Sequence, residues 1–307
     1  MEAIKRLFRR ITSSTEKRTI SFGENDRQYV HIYLPRDHTP SKGVIPLLIF
    51  VHGGAWVSEN VGMYSDLAQH IASKGIAVAL PEYRLTRYKD VTPENPNTIW
   101  HPNHLEDVYE GIRTVYAKAE SLGYRTDQTV LVGHSAGGYM NLAMALDSTK
   151  ANDGKSDDLI RDLPQLEAFI VKSIKAFVCV ESIFSLVDML KQYPTYNYFT
   201  TPAFYPPNSL SSAKEPYFEL EKAGPESWPL YPSGSYHPTN PDMPNLHIIH
   251  SSEDSLLNSD YNEVGMKLLR SKGLNLSVDL QSFKGDHEDL LHTRPFWDRL
   301  ISIVQSS

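Results

Sequence analysis

The chain has 307 residues, enough for one large α/β domain or two small ones with a sizeable core. Its composition, 40% hydrophobic and 22% charged, is typical of a globular protein, and its formal net charge of −7 argues against a nucleic-acid partner. Cys179 is the lone cysteine, which excludes an internal disulfide and fits a reducing compartment.

Residues 1–22 form a basic N-terminal segment. Four basic residues between positions 5 and 10 alternate with apolar ones in the spacing of an amphipathic helix, without the apolar core of a secretory signal. We favour a short helix docked on the domain in a cytoplasmic protein. A mitochondrial presequence or a surface-binding helix is the alternative. No apolar run reaches the length of an integral membrane segment.

From residue 28 onward, strand-like and helix-like segments alternate. Periodicity predicts strands at 30–34, 46–51, 76–80, 129–132, 175–180, 246–250 and 274–282. It predicts helices at 62–74, 103–122, 139–146, 183–191, 260–271 and 289–304, with Pro295 disturbing the last. This alternation indicates a single α/β domain, residues 23–307, with a mostly parallel, doubly wound sheet between two layers of helices.

The segment 193–240 interrupts this alternation. Eleven aromatic residues and eight prolines lie between Tyr193 and Tyr236, with little periodicity. A structureless loop of this length is unusual in a compact domain, so we predict a lid-like insertion before the last strands. The alternative is a surface excursion that packs on the body through its aromatic side chains.

The most informative motif is Gly-His-Ser-Ala-Gly at positions 133–137, between a predicted strand and a predicted helix. In this setting G-x-S-x-G indicates a nucleophile elbow, a sharp turn that exposes the serine hydroxyl above the edge of the sheet. Glycine is needed on both sides because a Cβ atom would collide with the adjacent strands. We therefore predict Ser135 as a catalytic nucleophile.

A serine nucleophile needs a histidine base and an acid that orients it. Of the 12 histidines, His287 is the best base because it follows the last predicted strand and precedes the last helix. Asp254 follows the preceding strand and gives the order Ser, Asp, His of this type of fold. Glu253 and Glu181 remain alternatives for the acid.

The segment His-Gly-Gly-Ala-Trp at 52–56 follows another buried strand. Acyl transfer creates an oxyanion, which fixed N–H donors must meet. We predict these donors to be the backbone N–H groups of Gly54, Ala55 and Ala136. Trp56 is predicted to bind substrate, and a packing role that holds the loop is the alternative.

Two further clusters of polar residues receive structural interpretations. His101, His104 and Asp107 have a spacing that resembles a metal site, but they run from a loop into a helix without support from other ligands, so we predict no metal and no cofactor. Glu82 and Arg84 follow a strand, and their charges are expected to pair locally.

With these residues, the chain resembles the α/β-hydrolase superfamily, in particular its kynurenine formamidase (arylformamidase) and hormone-sensitive-lipase-like group. The resemblance covers position 44 to the C-terminus and includes the segments 82–85 and 101–107. The His-Gly-Gly-x-Trp form and the segment 180–186 resemble kynurenine formamidases more than lipases, whereas Ser182 stands where many relatives have glycine. The resemblance implies an α/β-hydrolase fold with Ser135 as nucleophile, Asp254 as acid and His287 as base.

The resemblance further implies hydrolysis of N-formyl-L-kynurenine to L-kynurenine and formate through an acyl-enzyme. The first alternative is a short-chain carboxylesterase that acts on small acyl or aryl esters. A non-catalytic receptor on the same scaffold ranks lower, because all three triad positions are filled. The expected partner is a small-molecule substrate, and a homodimer is left open.

Overall fold

The computed structural model describes residues 14–89, 98–146, 166–205 and 245–307. Within these ranges eight strands form one sheet, in the order β1-β2-β4-β3-β5-β6-β7-β8. The strands are β1 (Thr15–Ser21), β2 (Tyr29–Pro35), β3 (Ile45–Val51), β4 (Ala77–Pro81), β5 (Tyr124–His134), β6 (Ile174–Val180), β7 (Asn245–Ile249) and β8 (Leu276–Asp279).

The six strands from β3 to β8 run parallel to their neighbours, while β2 is antiparallel to both β4 and β1. The predicted mostly parallel sheet is therefore confirmed. The strand order reverses at the pair β3 and β5, where Val51 lies opposite Gly133. In open α/β sheets such a reversal creates a crevice at the carboxyl ends of the strands, where ligands bind.

Helices cover both faces of the sheet. The α-helices of the described ranges are α1 (Ser65–Ala72), α2 (Asn103–Leu122), α3 (Ala136–Ala145), α4 (Ala168–Ser173), α5 (Leu186–Gln192), α6 (Asn197–Phe204), α7 (Ser259–Ser271) and α8 (Arg294–Ser306). Short 3₁₀ helices span Pro40–Lys42, Val61–Tyr64, Pro194–Tyr196 and Asp289–His292. None of the helices in these ranges is long and apolar enough to cross a membrane.

The core consists of two layers, one on each side of the sheet. Along β3, Leu47 and Ile49 pack with α2 to α7, whereas Leu48 and Phe50 pack with α1 and α8. Successive strand side chains point to opposite faces, so a strand covered on both sides is apolar throughout. The predicted doubly wound arrangement is confirmed.

The N-terminal boundary at residue 22 is wrong for the part of the segment that the structure describes. Residues 15–21 form β1, which pairs with β2 along its whole length and belongs to the same sheet. This strand is largely exposed and carries Glu16, Lys17 and Arg18, so it lacks the apolar alternation that reveals a half-buried strand. The predicted basic helix at residues 1–13 lies outside the described residues.

Pro295 begins a helix instead of disturbing one. The predicted helix 289–304 is a 3₁₀ turn at Asp289–His292 followed by α8, in whose first turn Pro295 lies. The ring fixes φ at a helical value, and a first-turn residue needs no N–H for the helix, so proline is well tolerated there.

Only the start of the predicted lid is described. Residues 193–205 form the 3₁₀ helix Pro194–Tyr196 and α6, and the remainder of 193–240 lies outside the described residues. Phe199 and Phe204 of α6 are buried against the body. This part of the segment packs on the domain, as the alternative interpretation expects, and the lid itself stays a prediction.

Candidate active site

Ser135 lies at the sharp turn between β5 and α3. Its φ is 51°, a left-handed value that is costly for a residue with a side chain. A Cβ atom at Gly133 would lie 2.5 Å from the carbonyl oxygen of Gly137, and one at Gly137 would lie 2.2 Å from that of Val51. The glycines therefore allow the turn that the motif predicts. Strained residues of this kind cluster at functional sites.

The loop after β3 has an unusual backbone. Gly54, Ala55 and Trp56 have φ values of 82°, 51° and 63°, so three consecutive residues are left-handed. The N–H groups of Val57 and Ser58 both donate to the carbonyl of Gly54, each at 2.9 Å, and fix this conformation. Ala136 is the first residue of α3, where backbone N–H groups have no acceptor within the helix.

Residues directly after β4 contact this loop and stabilise its conformation. The ring of His52 stacks on Tyr83 at 4.2 Å between centroids, and its Nε2 lies 3.0 Å from Oε1 of Glu82. The hydroxyl of Tyr83 donates to the carbonyl of Gly53 at 2.5 Å. Burial raises the pKa of Glu82, but the hydrogen bond with His52 and the charge of Arg27 outweigh it and lower the pKa overall.

The expectation of local charge pairing at 82–84 is therefore wrong. Glu82 forms a salt bridge of 2.6 Å with Arg27, and Arg84 forms one of 2.7 Å with Asp107. Both partners come from distant parts of the chain. Sequence analysis missed Glu82 and Tyr83 as supports of the loop, because the only available signal was their position directly after a buried strand.

Asp254 and His287 are joined by a hydrogen bond. Nδ1 of His287 lies 2.8 Å from Oδ2 of Asp254, whose side chain is fully buried. The other carboxylate oxygen, Oδ1, accepts hydrogen bonds from the N–H groups of Leu256 at 2.8 Å and Leu257 at 2.9 Å. The imidazole is thus oriented by a carboxylate that is itself held by the backbone.

The alternative acids have other partners. The side chain of Glu253 is 55% exposed, and its Oε2 accepts a hydrogen bond from the N–H of Gly285 at 2.9 Å. Glu181 is fully buried, and its Oε1 accepts a hydrogen bond from the N–H of Ser251 at 3.3 Å. Of the three carboxyl groups considered from sequence, Asp254 is the one bonded to His287.

Ser135 and His287 line the same cavity of about 210 Å³ at the carboxyl ends of the strands. Gly54 and Ala55 of the left-handed loop also line it. The lining of the cavity also contains the aromatic side chains of Tyr88, Tyr196, Tyr198 and Phe199. Except for Tyr88, these aromatic residues come from the start of the predicted lid, so the aromatic-rich segment contributes to the cavity.

Comparison with known protein families identifies the family of this chain. The BD-FAE family model matches residues 30–263, about three quarters of the chain. The chain belongs to the BD-FAE family. The matched region contains the left-handed loop, the elbow and Asp254, and it ends before His287.

This BD-FAE family member is similar to proteins of two named activities. It is 23% identical to the kynurenine formamidase of Scheffersomyces stipitis over 291 residues, which cover 91% of this chain and 96% of that protein. It is 29% identical to a probable isoprenylcysteine alpha-carbonyl methylesterase of Oryza sativa subsp. japonica over 157 residues. That alignment covers 51% of this chain and 34% of the rice protein, so the chain spans about a third of the rice protein's length.

The fold is shared with solved esterase structures. Esterase B from Lactobacillus Rhamnosis superimposes with a TM-score of 0.66 at 13% identity, over 99% of this chain and 90% of that chain. The BD-FAE family member thus has an α/β-hydrolase fold, and its similarity to a kynurenine formamidase agrees with the group that the sequence resemblance implies. The predicted α/β-hydrolase fold is confirmed.

Trp56 lies away from the cavity. Its side chain is completely buried and packs edge-on against Tyr139 and Phe204, with centroid distances of 5.4 Å and 4.9 Å. It is not among the described residues that line the cavity. These contacts fit the alternative of a packing residue, because the ring fills the space between the loop and α3, and the role of Trp56 in substrate binding stays a prediction.

We expect Trp56→Ala to lower the free energy of unfolding by about 3–5 kcal/mol, the usual cost of removing a buried aromatic side chain. Urea unfolding measures this change. Phe169→Ala is the matched control, since Phe169 is 65% exposed and its removal leaves no cavity. A Trp56→Ala variant with unchanged stability and a raised KM would instead support the substrate-binding role.

The histidines of the metal-like spacing are packing residues. The ring of His101 stacks on Phe204 at 5.0 Å, and Nε2 of His104 lies 2.9 Å from the hydroxyl of Thr86. Burial lowers the pKa of His101 to about 3 and also lowers the pKa of His104, so both rings are neutral at pH 7. Asp107 is occupied by its bidentate pair with Arg84.

Two other groups within the described ranges have metal-ligand spacing, and both surround the Asp254–His287 pair. His134, Glu181 and His287 have potential ligand atoms within 4.8 Å of one another, as do Glu181, His250 and Asp254. Most of these potential ligand atoms already take part in hydrogen bonds within the protein. His287 is bonded to Asp254, and Nε2 of His134 donates to the carbonyl of His287 at 3.0 Å.

Proposed function

We propose that this chain is a serine hydrolase with Ser135 as nucleophile, His287 as base and Asp254 as the acid that orients it. The observation that carries the proposal is the Asp254–His287 hydrogen bond of 2.8 Å beside a cavity that His287 shares with Ser135. A strained serine at an elbow, an imidazole held by a buried carboxylate and a common cavity are the parts that acyl transfer needs.

The proposed reaction proceeds through an acyl-enzyme. As Oγ of Ser135 attacks the substrate carbonyl, Nε2 of His287 takes the hydroxyl proton, and Asp254 stabilises the resulting imidazolium. The oxyanion is met by the N–H groups of Gly54, Ala55 and Ala136. His287 returns the proton to the departing amine or alcohol, and a water molecule then repeats the attack to release the acid.

We propose N-formyl-L-kynurenine as the substrate, hydrolysed to L-kynurenine and formate. Two observations support it. The chain is similar over most of its length to a protein named kynurenine formamidase, and the lining of the cavity is rich in tyrosine and phenylalanine, which suit an aryl leaving group. A short-chain aryl or acyl ester is the second candidate, supported by the similarity to a probable methylesterase.

Comparison of a formamide substrate with ester substrates tests this assignment. We expect a higher kcat/KM for N-formyl-L-kynurenine than for p-nitrophenyl acetate or butyrate. The same amine carrying an acetyl group is the control, because one extra methyl in a tight acyl pocket costs about tenfold or more in kcat/KM. A strong preference for p-nitrophenyl butyrate would remove the formamidase assignment and favour the carboxylesterase.

A further inference from the structure

Glu181 is a buried acid that the proposed mechanism does not use. It follows β6 directly, with a left-handed φ of 45°, and its N–H donates to the carbonyl of Ile249 at 3.0 Å. The residue has no exposed surface. Oε1 accepts a hydrogen bond from the N–H of Ser251, but Oε2 has no hydrogen-bond partner among the described residues. A buried polar atom without a partner is costly and calls for an explanation.

The carboxyl group of Glu181 lies close to both members of the Asp254–His287 pair. One of its oxygens is within 4.8 Å of a ring nitrogen of His287, and one is within 4.8 Å of a carboxylate oxygen of Asp254. Oε2 lies 3.7 Å from Nε2 of His134. A movement of about 2 Å would bring a Glu181 oxygen from the limit of that range to hydrogen-bond distance of His287.

Charge explains why Glu181 does not already compete with Asp254. Burial, and then the negative charge of Asp254, raise the pKa of Glu181 to about 9, so its carboxyl is neutral at pH 7. Two neighbouring carboxyl groups do not both ionise readily. The titratable groups around it belong to the elbow, the loop after β7 and the last loop: His134, His250, Asp254, Asp286, His287 and Asp289.

We propose that Glu181 is a second orienting acid for His287, able to accept the Nδ1 hydrogen bond when the Asp254 carboxylate is removed. This inference rests on the proposed serine-hydrolase function. Loss of the Asp254 side chain opens space beside His287 and also removes the negative charge that opposes ionisation of Glu181. Both changes favour a hydrogen bond from the imidazole of His287 to an ionised Glu181.

The test measures the reactivity of Ser135 as the second-order rate of labelling by a fluorophosphonate, together with hydrolysis of p-nitrophenyl acetate. The variants are Asp254→Ala, Asp254→Asn, Glu181→Gln and the double variant Asp254→Ala/Glu181→Gln. Glutamine has the shape of the neutral acid, so it removes the ability to ionise with little change in packing. Glu253→Gln in the Asp254→Ala background is the matched control for loss of a nearby carboxyl.

We expect the double variant to fall about 10⁴-fold below the wild type, the usual loss when the orienting acid is removed. Asp254→Ala alone should keep at least tenfold more activity than the double variant, and the control at Glu253 should lower it no further. Asp254→Ala should also exceed Asp254→Asn, because the asparagine side chain fills the space that Glu181 needs. The activity of Asp254→Ala should rise more steeply with pH than that of the double variant, because only Asp254→Ala keeps a Glu181 that can ionise.

Equal rates for Asp254→Ala and the double variant would overturn the proposal, and so would an Asp254→Asn variant as active as Asp254→Ala. The comparison of alanine with asparagine needs no change at Glu181, so it decides the matter even if the double variant does not fold. A wild type that the fluorophosphonate fails to label would remove the proposed function itself. A labelled wild type with equal variants would remove only the role of Glu181.

Discussion

Replacement of Ser135 by alanine is expected to abolish covalent labelling by a fluorophosphonate and to lower hydrolysis about a million-fold. The reason is that the proposed acyl-enzyme forms on the hydroxyl of Ser135, so without it only binding and the proposed oxyanion donors would still assist the reaction. Labelling is read by mass spectrometry of the intact chain, and hydrolysis by release of p-nitrophenol.

The fold is expected to survive this substitution, because alanine removes only the hydroxyl oxygen and keeps the Cβ atom that the turn accommodates. Ser41→Ala is the control, since Ser41 lies in the 3₁₀ helix Pro40–Lys42, outside the cavity. Labelling that persists in Ser135→Ala would place the reactive group elsewhere. An unlabelled wild type would favour the receptor interpretation.

The second large effect is expected for Gly137→Ala, which should destabilise the chain by at least the roughly 1–3 kcal/mol typical of overpacking. The added Cβ atom would lie 2.2 Å from the carbonyl oxygen of Val51 and 2.6 Å from that of His52. Both are backbone atoms at the end of β3, so relief requires the elbow to separate from the loop that precedes Trp56. Urea unfolding gives the change in stability.

Gly75→Ala is the control that measures the cost of backbone strain without a steric clash. Gly75 has a φ of 86° and no atom within 4 Å of an added Cβ, so only backbone strain of about 1–2 kcal/mol is expected. Fluorophosphonate labelling should be lost in Gly137→Ala and kept in Gly75→Ala. If the two variants unfold at the same urea concentration and both label, the close packing of the elbow against β3 is not important.

The elements best predicted from sequence are those whose pattern is set by burial. β3 is apolar throughout because both faces are covered, and α2 matches its predicted bounds because an apolar stripe ends at Gly123, a left-handed C-cap. β1 was missed for the opposite reason, since an exposed edge strand has no apolar face. α6 was missed because its sequence, with Pro202 inside, lacks a helical signal.

The residues of the candidate site also differ in how well the sequence predicts them. Ser135, Asp254 and His287 each follow a strand, and parallel strands bring their carboxyl ends together, so sequence order and spacing were sufficient to select them. The burial of the Trp56 ring could not be predicted, because whether a ring after a glycine pair points to solvent or inward depends on the residues that pack against it. Glu82 and Tyr83 were missed as supports since their partners are 30 residues away in the chain.

The charged first strand has a consequence for self-association. A free sheet edge can recruit a strand from another molecule, and lysine or other charged side chains on that edge discourage such growth. β1 presents Lys17 and Arg18 at one edge of the sheet, and the opposite edge is formed by β8, which has only four residues. The described edges of the sheet are therefore poorly suited to growth of one continuous sheet across two copies of this protein.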